Sequence, residues 1–440
     1  VALMIRAGGS KAYGDWAVSH IKTKSGALWS TFILAIVLGV DDYFNNLTTG
    51  NVMRPVADGH HISRAKLSYM CDATAAPVCI MMPVSSWAAA VTGVIGNEEV
   101  GFQIFLRAIP FNYYAILTLV FIIVMTCLNI DYGPMRTHEL NAAKGDLYTT
   151  PERPFAGVEE MKFNPNGKVI DLVLPVLVLV GCCVGSMVYV GYQNGGTDLI
   201  TAFANTSAFD ALPLGSLVAL IFTMIFFMVR RAMSFTELMD CLPNGFKQMV
   251  PAILILCLAW TIGDVTKGLG APEFVAGIVK NLSGSLYALL PAVVFIIAAF
   301  LGFATGTSWG TFSILLPIVI PVFSGGTPAV DLTVGDLNNN LLMISIAATL
   351  GGAVMGDHCS PISDTTIMAS SGAQCYHLNH VATQLPYAVT VAVVAFVNYI
   401  ITAFIQVPFI CLPIAIVSMV VVMLVIGKVN HSMNRHSQRD

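Results

Sequence analysis

Charge is what this chain has least of. Only 10% of its 440 residues are Asp, Glu, Lys or Arg, against 56% that are hydrophobic. A soluble domain carries about 25% charged residues, so this sequence lacks the polar surface needed to face water on every side. That shortage excludes a soluble enzyme, a nucleic-acid binder and a disordered scaffold. The formal charge of −4 points to no polyanionic partner. The ten cysteines form no CxxC pair, and Cys127, Cys182, Cys183, Cys257 and Cys411 lie inside apolar runs. They read as small buried hydrophobes, not as a disulfide or metal framework. The short alternating segments of a transmembrane β-barrel are missing too. So are the charged start and small-residue cleavage site of a signal peptide. Val1–Ile5 instead runs straight into Arg6 and Gly8-Gly9, like the last turns of a helix whose beginning is absent. One or two earlier spans are expected to precede it.

What is present is long stretches without any charge. Ser25–Val40, Ala73–Asn97, Ala108–Ile130, Leu172–Tyr192, Ala211–Val229, Met249–Gly263 and Leu337–Gly356 contain no Asp, Glu, Lys or Arg. Asn281–Val330 and Thr365–Gly427 are longer, and each must fold back on itself. A membrane helix needs roughly 20 apolar residues, which predicts about ten or eleven crossings. The one long polar segment, Asp131–Lys168, is rich in Pro, Glu, Asn and Gly and separates two halves as a solvated loop.

The halves share an ordered pattern. A helix ending at Leu38-Gly39 runs into Asp41-Asp42-Tyr43-Phe44-Asn45-Asn46, and a helix ending at Leu301-Gly302 runs into Ala304-Thr305-Gly306-Thr307-Ser308. Each is followed by a proline-bearing segment, Asp72-Ala73-Thr74-Ala75-Ala76-Pro77 and Asp357-His358-Cys359-Ser360-Pro361. Apolar segments interrupted at matching places in two halves point to a transporter's binding site. If each polar-Gly segment follows a helix that dips in and turns back, 18 of the 21 Lys and Arg residues fall on one side of the membrane and 3 on the other. The positive-inside rule makes the rich side cytoplasmic, including residues 428–440. The same threading gives the two repeats opposite orientations.

Helix breaks in a bilayer leave backbone groups unpaired, at several kcal/mol per group, and survive where they line a wet cavity or bind something. Pro77 and Pro361 are expected to free carbonyls near Asp72–Ala73 and Asp357–His358 for a cation. Asp42, Asp72, Asp264, Asp357 and Asp364 lie in or beside apolar stretches, where an acidic group is a functional-site hypothesis by default. Burial disfavours the carboxylate and a bound cation restores it, so one group can hold either a proton or Na+. Na+ is a hard cation and takes oxygen ligands. Residues 356–366 offer six side-chain oxygen donors: Asp357, Ser360, Ser363, Asp364, Thr365 and Thr366. His358 reads as a locally hydrogen-bonded histidine, and His60-His61, His377 and His380 as loop residues. Gly302, Gly306, Gly310, Gly352 and Gly356 recur at the spacing that lets helices pack closely. Arg54 reads as a headgroup anchor, or as a partner for an anionic substrate.

The same residues carry a resemblance. Asp41–Thr48, Met53-Arg54-Pro55, Ser63–Leu67, Asp72–Cys79 and Pro83–Trp87, with Gly356–Thr366 as a second signature, are similar to the NhaC-type sodium/proton antiporter family. The similarity covers essentially the whole chain, and family members are usually longer at the N-terminus. It implies an electrochemically coupled secondary transporter of the ion-transporter superfamily. Relatives in that family exchange malate for lactate or carry amino acids, so the resemblance leaves the solute open.

The expectation is therefore an all-α polytopic transmembrane bundle with two inverted repeats, each with a re-entrant-type hairpin and a Pro-broken helix. Residues 1–130 form the first repeat, 131–168 a cytoplasmic loop, 169–247 connecting helices, 248–427 the second repeat and 428–440 a cytoplasmic tail. The expected function is Na+/H+ exchange by alternating access in a bacterial-type inner membrane, without an enzymatic step or a cofactor. The alternative is a Na+- or H+-coupled carrier of a small organic anion or amino acid. Its ion site is placed at Asp357, Ser360, Ser363, Asp364, Thr365, Asp72 and Thr74. Asp42, Asn45, Asn46, Thr307, Ser308 and Thr311 are secondary candidates. The bilayer, Na+ and H+ are the expected partners, and a homodimer is a candidate assembly. An intramembrane aspartyl protease would need a GxGD motif, and Ile262-Gly263-Asp264 and Met355-Gly356-Asp357 each lack its first glycine. A channel fits fixed carboxylates beside broken helices less well than stoichiometric coupling does.

Overall fold

The computed structural model describes residues 2–97, 100–152, 164–197, 206–247, 284–324 and 329–437, with a few isolated positions between them. Asp264 and most of the charge-free segment 249–263 lie outside the described residues. Among the described residues every regular element is helical. Three short helices, α1 (Ala2–Arg6), α2 (Gly9–His20) and α3 (Lys24–Val37), lead into α4 (Asp42–Gly59) and α5 (Arg64–Cys79). Next come α6 (Ser86–Ile95), α7 (Gly101–Ala108), α8 (Tyr113–Leu128) and α9 (Gly133–Ala142). Two long apolar helices follow, α10 (Ile170–Gln193) and α11 (Ala208–Val229). The C-terminal part holds α12 (Gly284–Thr305), α13 (Ser308–Phe323), α14 (Asn340–Cys359), α15 (Asp364–Ala373), α16 (His377–Ile405) and α17 (Pro408–Ser437).

Helix starts follow the sequence closely. Asp41, Ser63, Ser85, Asn112, Thr307, Asn339 and Ser363 each cap a helix by accepting a backbone N–H from the first turn. Two residues expected as ion ligands, Thr307 and Ser363, thus also begin α13 and α15. Pro77 does not break α5, which continues to Cys79; the chain leaves the helix over residues 80–85. Pro361 behaves as expected, because α14 ends at Cys359 and α15 restarts at Asp364.

By length and composition, six helices among the described residues are able to cross a membrane: α10, α11, α12, α14, α16 and α17. The pair Gly101–Phe111 and Tyr113–Leu128, bent by 46°, makes a seventh if it is one span. The ten or eleven crossings expected are counted over the whole chain, including the segment at 249–263; among the described residues two of the charge-free segments hold helices too short to cross. The reason is geometric: α3 has 14 residues and α6 has 10. At 1.5 Å per residue both fall short of a hydrocarbon layer about 30 Å thick. One face of each packs inside the protein, through Leu28, Phe32 and Leu34 on α3 and Trp87, Ala88 and Val91 on α6, and neither crosses alone.

The centre of the molecule is α14, of which 94% of the most apolar window is buried, against 22% for α17 and α11. It is lined with small residues. A Cβ at Gly356 would stand 2.2 Å from the Ala299 carbonyl oxygen, and one at Gly352 would stand 2.4 Å from that of Phe295. These glycines, with Gly302, where a Cβ would stand 2.7 Å from the Ala353 carbonyl oxygen, let α12 and α14 touch backbone to backbone. The glycine spacing is therefore a packing device. The outward sides of α10, α11, α12 and α17 expose Leu177, Ile221, Phe300 and Val417, as expected of surfaces meeting lipid.

Candidate functional site

Short α15 sits between two helices of the N-terminal half. It runs parallel to α4: Tyr43 meets Asp364 at one end, and Gly50 touches Gly372 and Ala373 further along. It runs antiparallel to α5, through Thr366 to Asp72, Ser68 to the Ala369 carbonyl, and Arg64 to the Ala373 carbonyl. The break at Pro361 thereby carries the polar residues of the second half into contact with those of the first.

Four aspartates line this junction. Asp42, Asp72 and Asp357 are fully buried, and Asp364 is partly buried. Asp72 Oδ2 accepts from Gln384 Nε2 at 2.6 Å and Thr366 Oγ1 at 3.1 Å, with His380 Nε2 at 3.3 Å. Asp357 Oδ2 accepts from Thr365 Oγ1 at 2.9 Å, and that hydroxyl lies 3.1 Å from Ser363 Oγ. The Ser363 hydroxyl also lies beside the Asp357 carboxyl group. Asp364 accepts from the Thr365 backbone N–H at 2.8 Å and from the Tyr43 hydroxyl at 2.5 Å. Asp357 is within electrostatic reach of both Asp364 and Asp72. Asp72, Asp357 and Asp364 are thus tied together through the two consecutive threonines at the start of α15.

Asp42 forms the far end of the group. Its Oδ2 accepts from the indole N–H of Trp87 at 2.8 Å and of Trp309 at 3.3 Å, and its Oδ1 from the Tyr43 backbone N–H at 3.1 Å. One carboxylate thus joins α6 of the first half to α13 of the second. Asp42 and Asp364 both stand in the first turn of a helix, where the partial positive charge of the helix start faces them.

The remaining expected residues divide. Ser360 ends α14, and its hydroxyl accepts from the Ile362 N–H at 3.4 Å. Thr74 is turned away: its hydroxyl donates to the Met70 and Cys71 carbonyls of its own helix, at 2.6 and 3.2 Å. Asn45 is committed locally, donating to the Ala35 carbonyl at 2.7 Å and accepting from Thr49 at 2.9 Å. Asn46 and Ser308 are buried with no hydrogen-bond partner on their side chains. Thr311 donates to the Thr307 carbonyl at 2.8 Å and lies 3.3 Å from the Thr305 hydroxyl. The loop from Gly306 to Thr307 approaches the cluster through Gly306, which packs against Ile362 with φ at +67°.

Three expectations are corrected. The carbonyls of Asp357 and His358 are not free for a cation: Ser360 N and Thr366 Oγ1 donate to the first, and Gln384 Nε2 to the second. His380 is not in a loop but buried on α16 beside Asp72. His358 is held not locally but by the hydroxyl of Tyr114, 3.0 Å away on α8. Sequence reasoning also missed Tyr43, Gln384, Trp87 and Trp309 as partners of the aspartates. For His380 and Gln384 a signal existed: two polar residues four apart, one helical face, in a segment otherwise free of charge.

Basic groups lie elsewhere. Among the described residues no Lys or Arg side chain pairs with any of the four aspartates. Lys66, almost fully buried, pairs with Asp131, which also accepts from Tyr387; Arg64 pairs with Asp58 at 2.7 Å. Arg54 lies beside Asp58 and donates to Asn51 at 3.5 Å. It is twelve residues along α4 from Asp42, about 18 Å at helical rise. Among the described residues no three His, Cys, Asp or Glu side chains converge as a metal centre. What the cluster offers is carboxylate, hydroxyl and amide oxygen.

A helical membrane protein that buries acidic groups among neutral oxygens, at a helix break joining its two halves, is built as an ion-coupled transporter. The chain belongs to the Na+/H+ antiporter family, whose pattern it matches over residues 78–404. It is 36% identical over 417 residues to an uncharacterized protein of Haemophilus influenzae, spanning 92% of this chain and 76% of that one. It is 28% identical over 178 residues to the Malate-2H(+)/Na(+)-lactate antiporter of Bacillus subtilis, spanning 40% of this chain and 35% of that one. Its fold has a distant likeness, TM-score 0.42 at 17% identity, to the Alcanivorax borkumensis YdaH transporter, over 92% of this chain and 85% of that one.

Proposed function

We propose that this protein exchanges Na+ for H+ across the membrane by alternating access, with Asp357, Asp364 and Asp72 as the groups for which the two ions compete. The observation that carries this reading is the company the aspartates keep. Their side-chain partners are hydroxyl and amide groups and, beside Asp72, the imidazole of His380, with no Lys or Arg among the described residues. A buried carboxylate without a fixed counter-charge is costly, by several kcal/mol, unless it holds a cation or a proton. Either occupant relieves the cost and each excludes the other, which couples two ion movements without a covalent step. Ser363, Thr365 and Thr366 add hydroxyl oxygens suited to a hard cation. Thr74, Asn45 and Asp42, whose polar atoms are taken up by neighbours, serve the architecture around this site.

On this reading Na+ and H+ are cargo and no cofactor takes part. The two halves work as inverted repeats, and the loop at 131–168 and the C-terminal tail face the cytoplasm, in keeping with the skew of Lys and Arg. An organic-anion or amino-acid carrier is the second reading, supported by the similarity to the malate/lactate antiporter. It would need a cation to meet the substrate carboxylate, and Arg54 stands about 18 Å down its helix from Asp42. The test is an internal-pH assay in proteoliposomes, comparing pulses of Na+, malate, lactate and amino acids. Na+ alone is expected to alkalinise vesicles loaded with protons, and Asp357→Asn to abolish the response. Normal exchange by Asp357→Asn removes the site assignment; a response to malate and not to Na+ favours the second reading.

A further inference from the structure

We propose that Gln384 is a direct ligand of the transported cation, its amide oxygen completing a donor set with the carboxylates of Asp72 and Asp357. The inference deepens the exchange reading above and rests on it.

Gln384 projects from α16, a third helix besides α5 and α14, and is fully buried. Its orientation is fixed by two acceptors. Nε2 donates to Asp72 Oδ2 at 2.6 Å and to the His358 carbonyl oxygen at 2.8 Å, so the amide cannot be flipped without losing both. With the nitrogen so committed, Oε1 is left buried and without a donor. Two more oxygens share that state: Asp72 Oδ1 and Asp357 Oδ1 are also buried and without a donor. Their neighbourhood is common. Thr366 Oγ1 bridges the Asp72 carboxylate and the Asp357 carbonyl, and Gln384 bridges Asp72 and the adjacent His358 carbonyl.

Buried polar oxygens are nearly always satisfied, and each exception calls for a cause. Three in one neighbourhood, supplied by three helices, make a donor set for a hard monovalent cation. The donor-free oxygens are two anionic and one neutral, so the set does not depend on a third acid. A carbonyl-type ligand from α16 also ties the ion to a helix outside the α4–α5–α15 group. Occupancy would then bear on the packing of α16 against that group.

Purified full-length chain, titrated with NaCl against choline chloride at constant ionic strength and followed by thermal unfolding, tests this without transport. Na+ is expected to raise the unfolding temperature of wild type saturably. Gln384→Leu removes the oxygen and is expected to raise the half-saturating Na+ concentration at least tenfold. Gln384→Glu keeps an oxygen at that position and, as the protonated acid facing the Asp72 carboxylate, still supplies one donor in place of the amide nitrogen, so it is expected to stay within threefold of wild type. Equal loss in both variants would mean that Gln384 acts only through its N–H donors, and overturns the inference. So does wild-type affinity in Gln384→Leu. If Gln384→Leu does not fold, Gln384→Glu decides alone: affinity within threefold of wild type supports the ligand role, and a tenfold loss overturns it. Absence of any Na+ effect on wild type, by contrast, would sink the exchange reading itself.

Discussion

Tyr43 gives its hydroxyl proton to Asp364, and Lys66 gives its charge to Asp131; the two contacts represent the two kinds of polar burial in this protein. A hydrogen bond to a charged group contributes about 1.5–3 kcal/mol. Tyr43→Phe leaves the ring in place and removes that bond, so folding should survive. The apparent Na+ affinity should then change at least severalfold, because Asp364 becomes freer to take a proton or an ion; unchanged Na+ dependence in proteoliposomes would show that Asp364 is a bystander. Lys66 and Asp131 behave differently, as a closed pair. Removing one partner strands a buried charge, at about 3–5 kcal/mol, whereas replacing both with apolar residues is nearly neutral. Lys66→Met should therefore be strongly destabilised in detergent and Lys66→Met/Asp131→Leu largely restored, as read from thermal unfolding. Of these residues the sequence revealed only the acids. Asp357 and Asp364 stand in a polar run within apolar sequence, which is visible without a structure. Tyr43 reaches Asp364 from 321 residues away, and His380 and Gln384 reach Asp72 from 308 and 312; such distances are not written in any local pattern.

At the scale of elements, the seam between α12 and α14 and the break at Pro361 decide where the acids can meet. Gly356→Ala would drive a Cβ into the Ala299 carbonyl, 2.2 Å away, and backbone cannot turn aside as a side chain can. Overpacking of this kind costs about 1–3 kcal/mol. Gly181→Ala, in α10, meets nothing within 4 Å and should be neutral or stabilising, by up to about 1 kcal/mol. Thermal unfolding of the two variants side by side checks both signs. The glycine spacing announced this seam; the proline pattern announced less. Pro361 follows a polar Cys-Ser step and ends its helix, whereas Pro77 follows Ala75-Ala76 in a fully packed α5 and is absorbed. Proline removes one hydrogen bond in either case, and surrounding packing settles whether the helix also stops.

For the molecule as a whole, the membrane class followed from composition, because 10% charge cannot cover a soluble surface, and the all-helical class from the length of the charge-free runs. The number of crossings did not follow, since a short apolar helix packed against protein reads like one that spans lipid; α3 and α6 are both too short to cross alone. The junction of the halves unites the residues of greatest interest, with α15 of one half lodged between α4 and α5 of the other. If Na+ and H+ compete there, acidification must weaken apparent Na+ affinity, since protons occupy the same oxygens. In proteoliposomes the half-saturating Na+ concentration should rise as pH falls, approaching tenfold per pH unit where one proton is displaced, with the maximal rate less affected.

Proton release on Na+ binding tests the central claim most directly. Purified protein in weakly buffered solution containing a pH indicator should acidify the medium when NaCl is added and not when choline chloride is added. The release should be smaller in Asp357→Asn and in Asp72→Asn. Saturable Na+ binding with no proton released at any pH would contradict the account, because the two ions would then occupy separate places.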